Sequence, residues 1–329
     1  MRIVFFGTAE FAVPSLEALL AEGHDLLAVV TQPDKPQGRG RQMVPSPVKM
    51  AAERHGLPVL QPRRVRHESF LNKMRALEPE VLALAAFGQV IPQVLLDLPP
   101  LGPINVHGSL LPHYRGAAPI QRAIMAGETV TGVTTMWMDA TLDTGDMLLE
   151  ASLPILPEDT SGTLTPRLAT LGAELLVQTL QGLASGTLPR RKQDDRLATF
   201  APAIQPEDGQ VRWEETAMQI GARVRGVSPR PGAYTFLSGK RVKIWAVQPI
   251  APEPNATSEE ADAPPPGTIL GIQKSPAGIR VAAGAGTVVL LTEVQPENGK
   301  RMSAADWARG QRLIAGHRFD LNLNAEDPV

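Results

Sequence analysis

Cysteine is missing from all 329 residues. Its absence removes disulfides, thiolate metal sites and thioester chemistry together. It also fits a reducing compartment, and the expected location is the cytoplasm. Long apolar runs are missing too, since nothing approaches the roughly 20 residues that a membrane-spanning helix needs. The N-terminal MRIVFFGTAEF reads as a first strand rather than a signal peptide. The net charge is only −2, which excludes a polycation that holds nucleic acid by bulk charge, so any RNA contact must come from local basic patches. The histidines, His24, His55, His67, His107, His113 and His317, show no H-x-x-x-H or H-E-x-x-H spacing, and no metal is expected. The turn GTAEFAV lacks G-x-G-x-x-G, and no acidic residue marks the end of the second apolar run, which argues against a nicotinamide site. There are no internal repeats.

What is present is ordinary globular material, with 43% hydrophobic and 20% charged residues. The length predicts about two domains. In the first half, apolar runs alternate with helical spacing: RIVFFG, then PSLEALLAEG; DLLAVVTQ, then PVKMAAERHG; VLALAAFG and INVHG, then AAPIQRAIMAG. Continuous apolar runs suit strands buried on both faces. The alternation predicts a Rossmann-like parallel sheet with helices on both sides, to which GVTTMWMD and DMLLEASLPI add two strands and LTPRLATLGAELLVQTLQGL a long helix. Residues 191–206 have no clear period and are read as a linker between a first domain, 1–190, and a second, 207–329. There, short runs (AYTFL, KRVKIWAVQPI, GTILGIQ, GIRVAAG, TVVLLTEVQP) split by Gly, Ser, Asn and Pro predict a small OB-like β-barrel. APEPNATSEEADAPPP, 251–266, is of low complexity and is expected to be a loop.

One stretch does not fit a core. INVHGSLLPHYRGAAPI, 104–120, ends a strand with Asn105 and His107. Strand side chains alternate, so the two share a face. They stand at the strand's carboxyl end, where open α/β sheets collect ligands. A carboxamide can donate to a developing oxyanion, and an imidazole can donate or move a proton near neutral pH. A carboxylate to orient the ring is offered by the turn DATLDTGDM, with Asp139, Asp143 and Asp146. Spacing does not choose among the three. Ser109 stands outside any G-x-S-x-G elbow and is not read as a nucleophile.

NVHGSLLPHYRGAAPI followed by LDTGDML resembles the signature of the folate-dependent formyltransferases, and the resemblance extends over most of the first domain from RIVFFGTAEFAVPSLEALL onward. It implies that Asn105, His107 and Asp143 form the catalytic group. It implies 10-formyltetrahydrofolate as the donor co-substrate. The pterin would lie against Phe87, Gly88, Gln89 and Val90, with Ser109, Leu110, Leu111 and Pro112 lining the same pocket. TQPDKPQGRGRQMVPSPVK, 31–49, alternates Gly38, Arg39, Gly40 and Arg41 and is similar to an insertion loop in the branch of the family that acts on methionyl initiator tRNA. Arg39 and Arg41 are therefore expected to contact tRNA. The resemblance implies direct attack of the methionyl α-amine on the formyl carbon through a tetrahedral oxyanion, with no covalent enzyme intermediate, and a monomer. In one place the chain departs from the branch. FAPAIQPED in the linker has Ala203 and Pro206 where relatives carry lysines, so tRNA contact by the linker is doubtful, and Arg223, Arg225, Arg230, Lys240, Arg241 and Lys243 are candidate substitutes.

Overall fold

The computed structural model describes residues 1–37, 42–250 and 264–320. The chain divides into two compact units. The first gathers Met1–Ile120, Val130–Pro154 and Thr163–Ala203, and the second gathers Gln121–Thr129, Ile155–Gly162 and the chain from Ile204 onward.

The first unit is built on strands β1 (Arg2–Gly7), β2 (Asp25–Val30), β3 (Lys35–Gln37), β4 (Gln42–Val44), β5 (Val59–Leu60), β6 (Val81–Ala85), β7 (Pro103–His107), β8 (Val130–Trp137) and β9 (Met147–Pro154). Helices α1 (Val13–Ala21), α2 (Pro47–Arg54), α3 (Glu68–Leu77), α4 (Gln93–Leu96) and nearly all of α6 (Ser161–Ala184) are interleaved with them, while α5 (Pro119–Ala126) falls mostly in the second unit. Local chemistry sets several ends. Ser46 caps α2 by accepting the Lys49 N–H at 3.0 Å, with Pro47 next in line. α3 stops where Glu78 turns left-handed at φ +44°.

Seven strands form one sheet in the order β5-β2-β1-β6-β7-β8-β9. The chain runs outward from β1 to β2 and β5, then returns on the other side of β1 to β6 and β7. Such a reversal is where open α/β sheets leave a crevice beyond the strand ends. β6, VLALA, is buried at every position, as a central parallel strand must be. Beneath it Phe6 meets Phe70 and Phe87 edge-on, with ring centroids 6.4 and 5.2 Å apart. The sheet is not wholly parallel as the alternation predicted: β8 runs antiparallel to both β7 and β9. The β8–β9 connection, 138–146, is too short for a crossover helix, so these strands must form a hairpin. β3 and β4 also pair antiparallel. These two short strands belong to the stretch expected to be a cationic loop; Gly38, Arg39, Gly40 and Arg41 lie outside the described residues.

The second unit contains α7 (Ala217–Gly226), strands β10 (Ala233–Leu237), β11 (Lys240–Ile250), β12 (Ile269–Lys274), β13 (Ala277–Ala282), β14 (Val288–Pro296) and β15 (Met302–Ser303), and α8 (Ala304–Gly310). The five longer strands form an antiparallel sheet, β10-β11-β14-β13-β12, with β15 added on β14. Strand pairing leaves this path open, so no closed barrel of strands is seen among the described residues. Two isolated bridges from the chain's later part, Arg318 to Thr268 and Asp320 to Phe236, reach the outer strands instead. Most of the low-complexity stretch, 251–263, lies outside the described residues. α8 went unread in the sequence because AADWARG is too short to display a helical period.

Trp213, Phe319 and Trp307 hold this unit together from distant parts of the chain. Phe319 is stacked 5.1 Å from the fully buried Trp213 and 6.4 Å from Trp307, and Trp213 Nε1–H donates to Thr235 Oγ1 at 3.0 Å. Replacing Phe319 by Ala opens a cavity between two indoles and is expected to cost about 3–5 kcal/mol. Urea unfolding followed by tryptophan fluorescence measures it; a change too small to resolve would mean that the stack contributes nothing to this unit.

Candidate active site

β7 places the two residues that the sequence singled out. Ile104 and Val106 are buried in the sheet, while Asn105 and His107 share the alternate positions, opposite Met136 and Thr134 of β8. His107 is buried. Its Nε2 lies 3.0 Å from the Tyr114 carbonyl. A carbonyl only accepts, so this nitrogen carries a hydrogen. Nδ1 lies 3.7 Å from Asp143 Oδ2, which is beyond a hydrogen bond and within an ion-pair contact. Both ring nitrogens therefore face oxygen, and a second hydrogen on Nδ1 makes both contacts attractive. The half-buried Asn105 carboxamide makes no hydrogen bond among the described residues.

The three carboxylates of the β8–β9 turn have separate fates. Asp139 closes the turn on itself, accepting from Thr141 N at 3.0 Å and from the hydroxyls of Thr141 and Thr144 at 2.8 Å. The Asp146 carbonyl continues the hairpin by accepting from Trp137 N at 2.8 Å. Asp143 is the carboxylate that meets the His107 ring. Its backbone sits in the left-handed region at φ +53°, and its Oδ2 accepts the Gly116 N–H at 2.9 Å. Gly116 has φ +128°, and a Cβ there would come within 2.6 Å of the Ala201 carbonyl. A Cβ on Gly145 would overlap the Trp137 carbonyl. Both glycines are therefore required by close backbone approach.

The two segments expected to line a pterin pocket lie at the carboxyl ends of β6 and β7. Thr134 from β8 fixes the second segment: its hydroxyl donates to the Ser109 carbonyl at 2.8 Å and accepts the Leu111 N–H at 3.0 Å. Ser109 is buried and donates to the His113 carbonyl at 2.6 Å, so its hydroxyl serves the loop. Leu111 is buried with Met136 and Met147, Pro112 is buried and Leu110 half-buried. In the first segment the Phe87 carbonyl accepts from Thr8 Oγ1 and from Gln32 Nε2, both at 2.9 Å, and the Gly88 carbonyl accepts from Gln32 at 3.0 Å. Phe87 is buried, Gln89 accepts from Val65 N at 3.3 Å, and Val90 is 83% exposed. The N–H groups of 87–90 have no partner among the described residues. This leaves a row of backbone donors beyond the carboxyl end of β6.

Three residues with no assigned role surround the group. Tyr114 supplies the carbonyl under His107. Arg115 is buried, with Nε donating to Gln193 Oε1 at 2.9 Å and Nη2 to Asp195 Oδ1 at 2.7 Å. Gln193 Nε2 donates to the carbonyls of Asp143 and Gly145, each at 2.8 Å. Arg115 stood inside the quoted signature, but nothing in the sequence distinguishes a buried Arg from a solvated one. Gln193 fell in a stretch without period and carried no signal.

Comparison with known proteins identifies the family. The formyl transferase family matches residues 1–180, and the formyl transferase C-terminal domain matches 203–312. A methionyl-tRNA formyltransferase from Syntrophus aciditrophicus (strain SB) is 48% identical over 316 residues, which is 96% of this chain and 98% of the relative. One from Solibacter usitatus (strain Ellin6076) is 50% identical over 319 residues, 97% of this chain and 98% of the relative. Among solved structures, the N-formyltransferase from Helicobacter canadensis, in complex with folinic acid and dTDP-3-aminofucose, superposes with a TM-score of 0.63 at 17% identity, covering 88% of this chain and 98% of its own; this likeness concerns the fold. The chain belongs to the formyl transferase family and, within it, to the methionyl-tRNA formyltransferases.

Proposed function

We propose that Asn105, His107 and Asp143 carry the transfer of a formyl group from 10-formyltetrahydrofolate to the α-amine of methionyl initiator tRNA. The transfer itself follows from family membership. The observation that carries the residue roles is the approach of His107 Nδ1 to Asp143 Oδ2 across 3.7 Å, beside an unpartnered carboxamide.

The attacking amine must be neutral. Free α-amines titrate at about 7.7–8.0, so a useful neutral fraction exists near pH 7. Attack on the formyl carbon puts charge on its oxygen. The Asn105 amide is free to donate there, and His107 contributes through Nδ1, because Nε2 is committed to Tyr114. Asp143 faces Nδ1 across 3.7 Å and is the group we assign to take the proton that the amine must lose. The departing folate nitrogen receives a proton in turn. The donor would rest against the N–H groups of Phe87, Gly88, Gln89 and Val90, with Ser109, Leu110, Leu111 and Pro112 forming the adjoining wall.

For tRNA, Arg39 and Arg41, which lie outside the described residues, are the cations assigned to phosphate contact. In the second unit Arg230 and Lys240 are exposed, Arg241 lies 3.7 Å over the Tyr234 ring, and Lys243 lies 5.9 Å from the Trp245 ring. Arg223, by contrast, is buried against Glu215, and Arg225 donates to the Asp159 carbonyl, so neither is counted. We read this unit as OB-like, because residues 318 and 320 bridge toward both outer strands of the sheet. The division of labour we infer is catalysis in 1–190, a linker at 191–206 and tRNA binding in 207–329, by a monomer in the cytoplasm. No helix among the described residues is long and apolar enough to cross a membrane.

Asn105→Ala, His107→Ala and Asp143→Ala are each expected to lower turnover at saturating substrates by about 100- to 1,000-fold, the usual loss for an oxyanion donor or its partner. The assay compares charged initiator tRNA, a sugar nucleotide and a free ribosylamine as acceptors. Wild-type turnover in one variant removes that residue from the reaction, and transfer to the sugar or ribosylamine alone removes the tRNA assignment. Arg39→Ala is expected to raise KM for tRNA while leaving folate binding unchanged, and affinity for tRNA should fall linearly in log–log form with salt. A folate defect in that variant, or affinity indifferent to salt, would contradict the phosphate-contact reading.

A further inference from the structure

Asp143 occupies a backbone conformation that a residue with a Cβ adopts rarely. Such conformers persist only where the surroundings over-determine them. Three hydrogen bonds around this residue do so: Gly116 N–H holds the carboxylate, and the Gln193 amide holds the carbonyls of Asp143 and, two residues on, Gly145.

The orientation of the Gln193 amide is dictated. Its Oε1 faces Arg115 Nε, which only donates, and its Nε2 faces two carbonyls, which only accept. Flipping the amide would break all three contacts. Arg115 in turn cannot move freely, because it is buried and its guanidinium is shared between Gln193 and Asp195. The backbone of Arg115 adds two further bonds, donating to the Thr199 carbonyl at 2.8 Å and accepting from Ala201 N at 2.7 Å.

We propose that Gln193, oriented by Arg115, is a positioning residue that clamps the Asp143 turn and so sets the distance between the carboxylate and His107. This rests on the reading of His107 and Asp143 as catalytic. The clamp comes from residues between 191 and 201, so a segment without secondary-structure period controls the geometry of the reacting group.

The discriminating variant is Gln193→Glu. A carboxylate at 193 still accepts from Arg115, with the added attraction of opposite charge, so a role confined to Arg115 is preserved. It loses both donors and turns negative oxygen toward the Asp143 and Gly145 carbonyls, so the clamp is lost. The variant is expected to fold, to bind folate and charged tRNA with KM values near those of the wild type, and to lose kcat by roughly 100-fold, as an ångström-scale misplacement does. Gln193→Ala should show the same kcat loss with a lower melting temperature, because Arg115 loses a partner. Wild-type kcat in the Gln193→Glu variant overturns the clamp, as does a rise in KM with kcat intact. In an Asp143→Ala background, Gln193→Glu should add no further loss, and a full additive loss would also overturn the proposal. Had Asp143→Ala itself kept wild-type turnover, the catalytic reading would have failed first, so the two failures are separable.

Discussion

The approach of one carboxylate to one imidazole governs this structure, and the backbone of Asp143 makes it possible. At φ +53° the turn between β8 and β9 points its side chain back toward the end of β7. A right-handed residue at that position would direct the carboxylate elsewhere. The sheet order supplies the other half of the constraint. β7 lies between β6 and β8, so the His107 ring emerges one strand away from the hairpin that bears Asp143. The segments after β6 and β7 then border the same edge. Because β8 runs antiparallel to β7, its end lies beside Ile104 at the start of β7, and the turn that follows, a hairpin rather than a crossover helix, reaches back to the histidine through the Asp143 side chain.

Much of this was readable from residue pattern. The apolar runs located β1, β2, β6 and β7, and the alternation of Asn105 and His107 put both on one face at a strand's carboxyl end. The resemblance selected Asp143 from three candidates; in the fold Asp143 is the one that approaches His107, while Asp139 is spent on Thr141 and Thr144. Other features were not readable, for identifiable physical reasons. Strand direction is set by connection length and pairing partners, and an apolar run looks the same either way. The bridges that Arg318 and Asp320 make to Thr268 and Phe236 depend on where the chain returns, which local propensity does not encode. Arg223 read as a free cation but is buried against Glu215, because charge in a sequence says nothing of burial. Gln193 and Arg115 act through contacts between distant parts of the chain, and only the fold brings them together.

Several elements around the Asp143 turn come at some cost to stability. Buried Arg115 is a weak contributor to folding, since removing a guanidinium from water offsets most of the gain from its partners. The left-handed Asp143 costs on the order of 1–3 kcal/mol. Gly116 and Gly145 give up conformational entropy on folding that any larger residue would have spared. None of these choices is what a core optimised for stability would contain. They coincide around one turn because each serves the same geometric end.

That coincidence explains why the carboxylate is held through its backbone as well as through its side chain. A carboxylate tied down by several hydrogen bonds to its own oxygens would resist accepting a proton. Here a single N–H, from Gly116, touches Oδ2, while the stronger restraint falls on the main-chain carbonyls of Asp143 and Gly145. The position of the group is fixed chiefly through its main chain. The role proposed for Asp143 has both requirements, a carboxylate placed to within an ångström and oxygens left largely open. Restraining the main chain by a neutral amide, itself oriented by a buried cation one bond further away, satisfies both.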